Sequence, residues 1–194
     1  MSESLMSAAL RYAQLGYAVF PCAPGRKVPM ITGGRNAATT DAAQIEAWWS
    51  AEPRANIGIA TDDLIVINID GSDNGWPHDQ ELGAQLASAA TSITPRGGRH
   101  HVYRQPDGKA WRSSVGRIAE SVDTRGWGGY ICAEPSVLPG GKYRWVPGCE
   151  LDLPRAKLPV PPPWLAEILD GLQSGRISRA VSAVAGDGDA NPLP

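Results

Sequence analysis

The chain has 194 residues, 42% of them hydrophobic and 20% charged, with a formal net charge of −2. That length suits one domain with a sizeable core, and the composition is that of a globular protein rather than a disordered or fibrous one. No apolar run approaches a membrane span, and the N-terminal residues lack the basic region and cleavage site of a signal peptide. Three cysteines, Cys22, Cys132 and Cys149, show no C-x-x-C spacing. Their odd number argues against a disulfide framework, so a reducing cytoplasm is the expected setting.

Residues 5–16, LMSAALRYAQLG, carry Leu5, Ala8, Ala9, Tyr12 and Leu15 at helical spacing and stop at Gly16. Tyr17 to Pro21 reads as a short strand, and a Gly/Pro loop with the paired bases Arg26 and Lys27 follows. Thr39 or Thr40 is placed to cap a helix from Asp41 to about Ser50, with Ile45, Trp48 and Trp49 inward. Asn56–Ala60 is a strand expected to pair, across Thr61-Asp62-Asp63, with the run from Leu64 to Asp70.

That run, LIVINID, is too short for a helix and rich in β-branched residues, so it reads as a buried strand. A period of two puts Asn68 and Asp70 on one face and Ile67 and Ile69 on the other. A helix is expected over Gln80–Ala90, then Ser92-Ile93-Thr94, a tight turn through Gly97-Gly98, and the strand His100 to Arg104. Neighbours on a strand diverge, so His100 and His101 do not form a metal pair, and His101 is given a surface or packing role. Further on come an extended piece from Trp111 to Val115, Asp123 and Arg125 on one face, a Gly128-Gly129 bend with a strand, and the hairpin Leu138–Trp145. A proline-rich connector precedes one helix from Trp164 to about Leu172, and residues 173–194 read as a tail or linker.

Charge is segregated. Residues 41–90 hold nine acids and one base, whereas residues 91–130 hold seven bases and three acids. Acidic strand ends beside a basic surface are compatible with a metal site next to a phosphate-binding one. Asn68, Asp70 and Asp123 offer oxygen ligands of the kind that Mg²⁺ or Mn²⁺ prefers. Two such ions can activate an attacking hydroxyl and neutralise a triphosphate. His100 and Arg125 beside them can hydrogen-bond phosphate oxygens.

In their order, Val66 to Asp70, then Gly97-Gly98-Arg99-His100, then Val122-Asp123-Thr124-Arg125 with Gly128-Gly129-Tyr130 and Pro135-Ser136, resemble the three motifs of the prim-pol family. These are the bifunctional DNA primase/polymerases of the archaeo-eukaryotic primase superfamily. Gly25 to Pro29, Ala38-Thr39-Thr40 and a Trp-ended helix extend the likeness over residues 5–170. The resemblance implies an α+β primase catalytic core, with an α/β N-terminal part and an RRM-like antiparallel sheet. It implies Asp70 and Asp123 as metal ligands for Mg²⁺ or Mn²⁺ with Asn68 beside them, and His100 on the incoming nucleotide's phosphates. Lys27, Arg99, Arg125 and Ser136 join it in contacting phosphate or template.

The implied partners are a DNA template and primer, (d)NTPs, and a replicative helicase, fused or separate. The chain itself has no G-x-x-x-x-G-K-[ST] motor motif. One departure stands out: the family's first motif has Asp where this chain has Asn68. The amide still ligates a hard metal but brings no charge, which leaves three readings open: a polymerase that tolerates Asn, a substitution that traps a substrate complex, and a non-catalytic nucleotide- or single-strand-binding module. A metal-dependent nuclease built on Asp70, His100 and Asp123 is the remaining alternative.

Overall fold

Four helices and eleven strands are formed in the residues described by the computed structural model, 3–87 and 89–175. Of the expected tail, 173–194, Gln173 is still helical and residues 176–194 lie outside the described residues. Helix α1 (Leu5–Gln14) starts at Ser4, whose Oγ accepts the Ser7 N–H at 3.1 Å. Helix α2 (Ala42–Ala51) is capped by Asp41, not by Thr39 or Thr40. Asp41 Oδ1 accepts the Ala43 N–H at 3.0 Å, while Thr39 Oγ1 takes the N–H of Asp41 itself. Both residues can cap, and the backbone places the carboxylate at the orphan donors.

Strands β1 (Val19–Cys22), β2 (Asn56–Ala60) and β8 (Tyr130–Ala133) form a three-stranded antiparallel sheet with β2 in the middle. A second sheet has six strands, in the order β11 (Arg144–Trp145), β4 (Ala90–Ile93), β5 (Arg99–Arg104), β3 (Leu64–Ile69), β7 (Val122–Arg125) and β6 (Ser114–Ala119). A small hairpin joins β9 (Val137–Leu138) to β10 (Gly141–Lys142). The expected pairing of Asn56–Ala60 with Leu64–Asp70 does not form. β2 and β3 lie in different sheets, because the turn between them is tied elsewhere: Thr61 N–H donates to Gly129 O and Thr61 Oγ1 to Gly126 O. Both strands are buried along nearly their whole length, so no alternation was available to choose their partners.

Helix α3 (Gln80–Leu86) is shorter than its sequence suggests. Ala90 leaves the helical pattern to pair with Val102 in the sheet, an override of helix propensity by tertiary pairing. Strand β6 likewise begins later than the expected extended piece, at Ser114. Helix α4 (Pro163–Gln173) opens with proline at a position that needs no N–H.

The two faces of the six-stranded sheet are used differently. Leu64, Val66 and Val102 pack toward α1, α2 and the small sheet, whereas Ile65, Ile67, Ile69 and Tyr103 pack with Leu86 of α3 and with Leu165 and Leu169 of α4. Each fully buried aliphatic contributes about 1.5–3 kcal/mol, so β3, apolar on both sides, anchors both layers.

Candidate functional site

Because β3 lies between β5 and β7, the separate sequence motifs become one row. Asn68 is directly opposite His100 on one side and Asp123 on the other, and His100 is opposite Ser92. Residues directly opposite across antiparallel strands share a face, so these side chains stand side by side. Asn68, His100 and Asp123 are each no more than 7% exposed. Asp70 continues the row just past the end of β3, where its backbone N–H donates to Ser121 O at 2.9 Å. Its carboxylate is more open and faces Arg96 Nη2 at 3.6 Å.

The Gly97-Gly98 turn allows the β4–β5 hairpin to close against this strand end. A Cβ on Gly98 would lie 2.4 Å from Ile69 O and 3.2 Å from Asp70 Cα, so no other residue fits without moving the backbone that carries Asp70.

The row borders a cavity of about 470 Å³ lined by residues of both sheets. Asn68, His100 and Arg125 come from the large sheet, Gly128 to Cys132 from β8 and its approach, Lys27 and Tyr143 from loops, and Arg35 from a short 3-10 turn, Gly34–Ala37. Three bases line it and no carboxylate does; Arg35 and Arg125 are paired with Asp62 and Asp123 behind the lining, and Lys27 is the base with no carboxylate partner among the described residues. An adjoining cavity of about 380 Å³ shares Lys27 and Asn68 and adds Asp70, Arg26 and Arg96. Asn68 and Asp70 therefore do face the same side.

Asp123 is held rather than free. Its Oδ1 accepts the Gly116 N–H at 2.9 Å, and its Oδ2 accepts from Arg125 Nη2 at 3.1 Å.

Burial, reinforced by Lys27, Arg125 and His101, pushes the His100 imidazole down to about 3, so it is neutral at physiological pH. Its Nδ1 is buried with no hydrogen-bond partner. Its ring lies 5.7 Å from that of Tyr143, whose buried hydroxyl is also unpartnered. Both rings line the cavity, while these two atoms themselves are buried behind it. Burial also raises the Tyr143 phenol, which keeps its proton. His101 faces the other way, with Nδ1 3.1 Å from Thr91 Oγ1, in the packing role expected of it.

Lys27, Asn68, His100 and Arg125 are thus gathered at the cavity, with Asp70 and Asp123 at its edges. Two candidates are not brought there. Arg99 is exposed at the start of β5 with the parity of His101, and Ser136 is fully buried with Oγ accepting the Ile57 N–H at 2.8 Å. Ser136 ties β2 to the loop after β8.

Arg35 and Tyr143 line the cavity without having been singled out in the sequence. Arg35 follows Gly33-Gly34 directly, as Arg99 and not His100 follows Gly97-Gly98, so the local pattern does not mark it for the cavity. Asp62 fixes it in bidentate fashion, at 3.0 and 2.9 Å, and also accepts the Gly128 N–H at 3.0 Å. No local pattern marks Tyr143 either.

Among the described residues no group of three or more His, Cys, Asp or Glu side chains is placed to hold a metal ion. Asp70, Asn68 and Asp123 supply the carboxylate and amide oxygens of this row, and both Asp123 oxygens are engaged by Gly116 and Arg125.

The chain is thus an α+β domain whose two sheets meet at a cavity lined by three bases, with carboxylates at its edge. A family model described as bifunctional DNA primase/polymerase, N-terminal, matches residues 9–164, and the chain belongs to that Prim-Pol family. It is a primase/polymerase-type domain. No curated protein matches the chain.

Proposed function

We propose that the domain synthesises and extends primers by template-directed nucleotidyl transfer, and that the cavity holds the triphosphate of the incoming nucleotide. The observation that carries this reading is the row Asn68–His100–Asp123 beside a cavity lined by three bases and no acid. Lys27, Arg35 and Arg125 orient and neutralise the phosphates, and neutral His100 offers a hydrogen bond without adding charge. Asp70, Asp123 and the Asn68 amide would hold Mg²⁺ or Mn²⁺, which on binding supplies charge neutralisation at the phosphates and acidifies the attacking hydroxyl. The primer 3′ oxygen forms a bond to the α-phosphorus, the bond to pyrophosphate breaks, and the hydroxyl proton passes to solvent. Cavity residues position the α-phosphorus for in-line attack.

Asn68 favours a second reading, a module that binds nucleotide or single-stranded DNA without chemistry, because it removes one negative charge from the ligand row. Primer-extension and de novo priming assays with Mn²⁺ and with Mg²⁺ separate the two, comparing the chain with Asn68→Asp and Asp123→Ala. Synthesis that Asp123→Ala abolishes supports a polymerase that tolerates Asn68. Silence in the chain with synthesis in Asn68→Asp makes residue 68 the switch. Silence in both sinks the catalytic reading and leaves the binding module.

A further inference from the structure

Beyond the cavity, one surface feature is unusual for a side chain of its kind. Among the described residues Trp127 is the single aromatic among the exposed large apolar side chains, at 45% exposed. Its position is nonetheless fixed. The Trp127 N–H donates to Trp111 O at 2.8 Å, and Arg112 and Trp127 form a β-bridge. The Arg112 guanidinium carbon stands 4.5 Å from the centroid of the indole ring. That cation–π contact is weak at an exposed site, too weak to explain leaving an indole half in water.

Arg112 is exposed and forms no ion pair with a carboxylate among the described residues, so its charge remains available to an anion. The surroundings continue the same chemistry. Arg112, Ser113, Ser114 and Arg117 line one wall of a groove of about 370 Å³. β6, which carries Ser114 to Ala119, is an edge strand with Val115 72% exposed. In sequence, Trp127 immediately precedes Gly128 and Gly129, which line the cavity, and the Gly128 N–H is held by the same Asp62 that fixes Arg35. A fixed indole, a stacked guanidinium and a groove with basic and polar side chains along one wall match what a single strand needs: a π-face for a base and cations for its backbone.

We propose that Trp127 and Arg112 form a stacking platform for one base of single-stranded DNA, with the strand's phosphates following the Arg112–Arg117 groove. Only the identification of that strand as the template rests on the function proposed above. The platform takes any base, because every base has a π-face, and it discriminates against duplex, whose bases are already stacked.

Fluorescence anisotropy of a fluorescein-labelled oligothymidylate with the full chain tests the platform, alongside primer extension by the same proteins. Trp127→Ala is expected to weaken binding by about 5- to 150-fold, the range for one lost base stack, while Trp127→Phe retains most of the affinity. Arg112→Gln is expected to reduce the slope of log affinity against log salt by about one. Thermal unfolding of each variant separates these effects from misfolding, and Arg112→Gln supplies a second readout should Trp127→Ala fail to fold.

Unchanged oligothymidylate affinity in Trp127→Ala overturns the proposal, as does equal loss of single-strand binding in the Ala and Phe variants. A wild-type chain that does not bind the oligonucleotide overturns it as well. Trp127-dependent binding in a chain that synthesises nothing leaves the platform standing while the polymerase reading falls. Synthesis unaffected by Trp127→Ala, with unaltered binding, does the reverse.

Discussion

His100 and His101 are neighbours in the chain and belong to different worlds. His100 faces the small sheet, next to Asn68 and across a cavity from Lys27 and Arg125, and its Nδ1 has no partner. His101 faces α3 and α4 with Ile67 and Tyr103, and its Nδ1 meets Thr91. The two faces of one sheet thus divide the work. Both pack apolar side chains, but the face that carries His100 gives way beside Asn68 to a polar cavity lined by Lys27, Arg35 and Arg125. A strand buried on both sides can carry a site only if the opposite face supplies the stability the site forgoes.

The most severe way to break this contrast is on the packed face. Ile67→Ala is expected to cost about 2–5 kcal/mol in denaturant unfolding, with nucleotide affinity unchanged in the fraction that stays folded. A parallel loss of affinity at full occupancy of the folded state would mean that the faces are not independent.

On the open face, Lys27→Ala is expected to weaken binding of a fluorescent deoxynucleoside triphosphate by about tenfold or more without moving the unfolding midpoint, because Lys27 is exposed and its loss leaves no cavity. Unaltered affinity would remove it from the anion site.

Acid titration compares the two histidines directly. The unfolded chain protonates each imidazole near pH 6.5, whereas burial holds His100 to about 3 and His101 to about 4 in the folded protein. Between those values the unfolded state binds more protons, so stability falls as pH is lowered, by up to about 1.4 kcal/mol per pH unit for each histidine. Denaturant unfolding at successive pH values from 7 to 4 checks this, and His100→Gln is expected to remove about half of the slope. An undiminished slope would show that His100 is not buried in neutral form.

The smallest effect concerns the packed face again. Tyr103 donates its hydroxyl to Leu86 O at 2.8 Å, and Tyr103→Phe is expected to lower stability by about 1 kcal/mol at constant nucleotide affinity, measured by the same unfolding.

How much of this could be read beforehand follows physical lines. Helices α1, α2 and α4 were legible from apolar spacing, and β3 from its β-branched run. The motif order was enough to suggest the family. Pairing was not legible, because β2 and β3 are buried on both sides and alternation carries no information there. Arg99 was grouped with His100 by adjacency in a motif, although strand parity sends it to the other face. Ser136 was grouped by motif too, whereas its hydroxyl serves the backbone of β2. Arg35 and Tyr143 reach the cavity only through the meeting of loops with two sheets, a long-range geometry that no local pattern encodes.

The central place of β3 also has a consequence for how the domain comes into being. Its two partners arrive in order, β5 first and β7 only after residue 122 has been made, and the cavity is not closed until Tyr143 follows. Such non-local pairings are slow to form, because the loops between them must close first. A ribosome-bound chain that has just exposed β3 therefore carries an apolar ribbon with unpaired edges. Soluble yield should depend on how fast the remainder is synthesised and on chaperones that shield this ribbon while it waits.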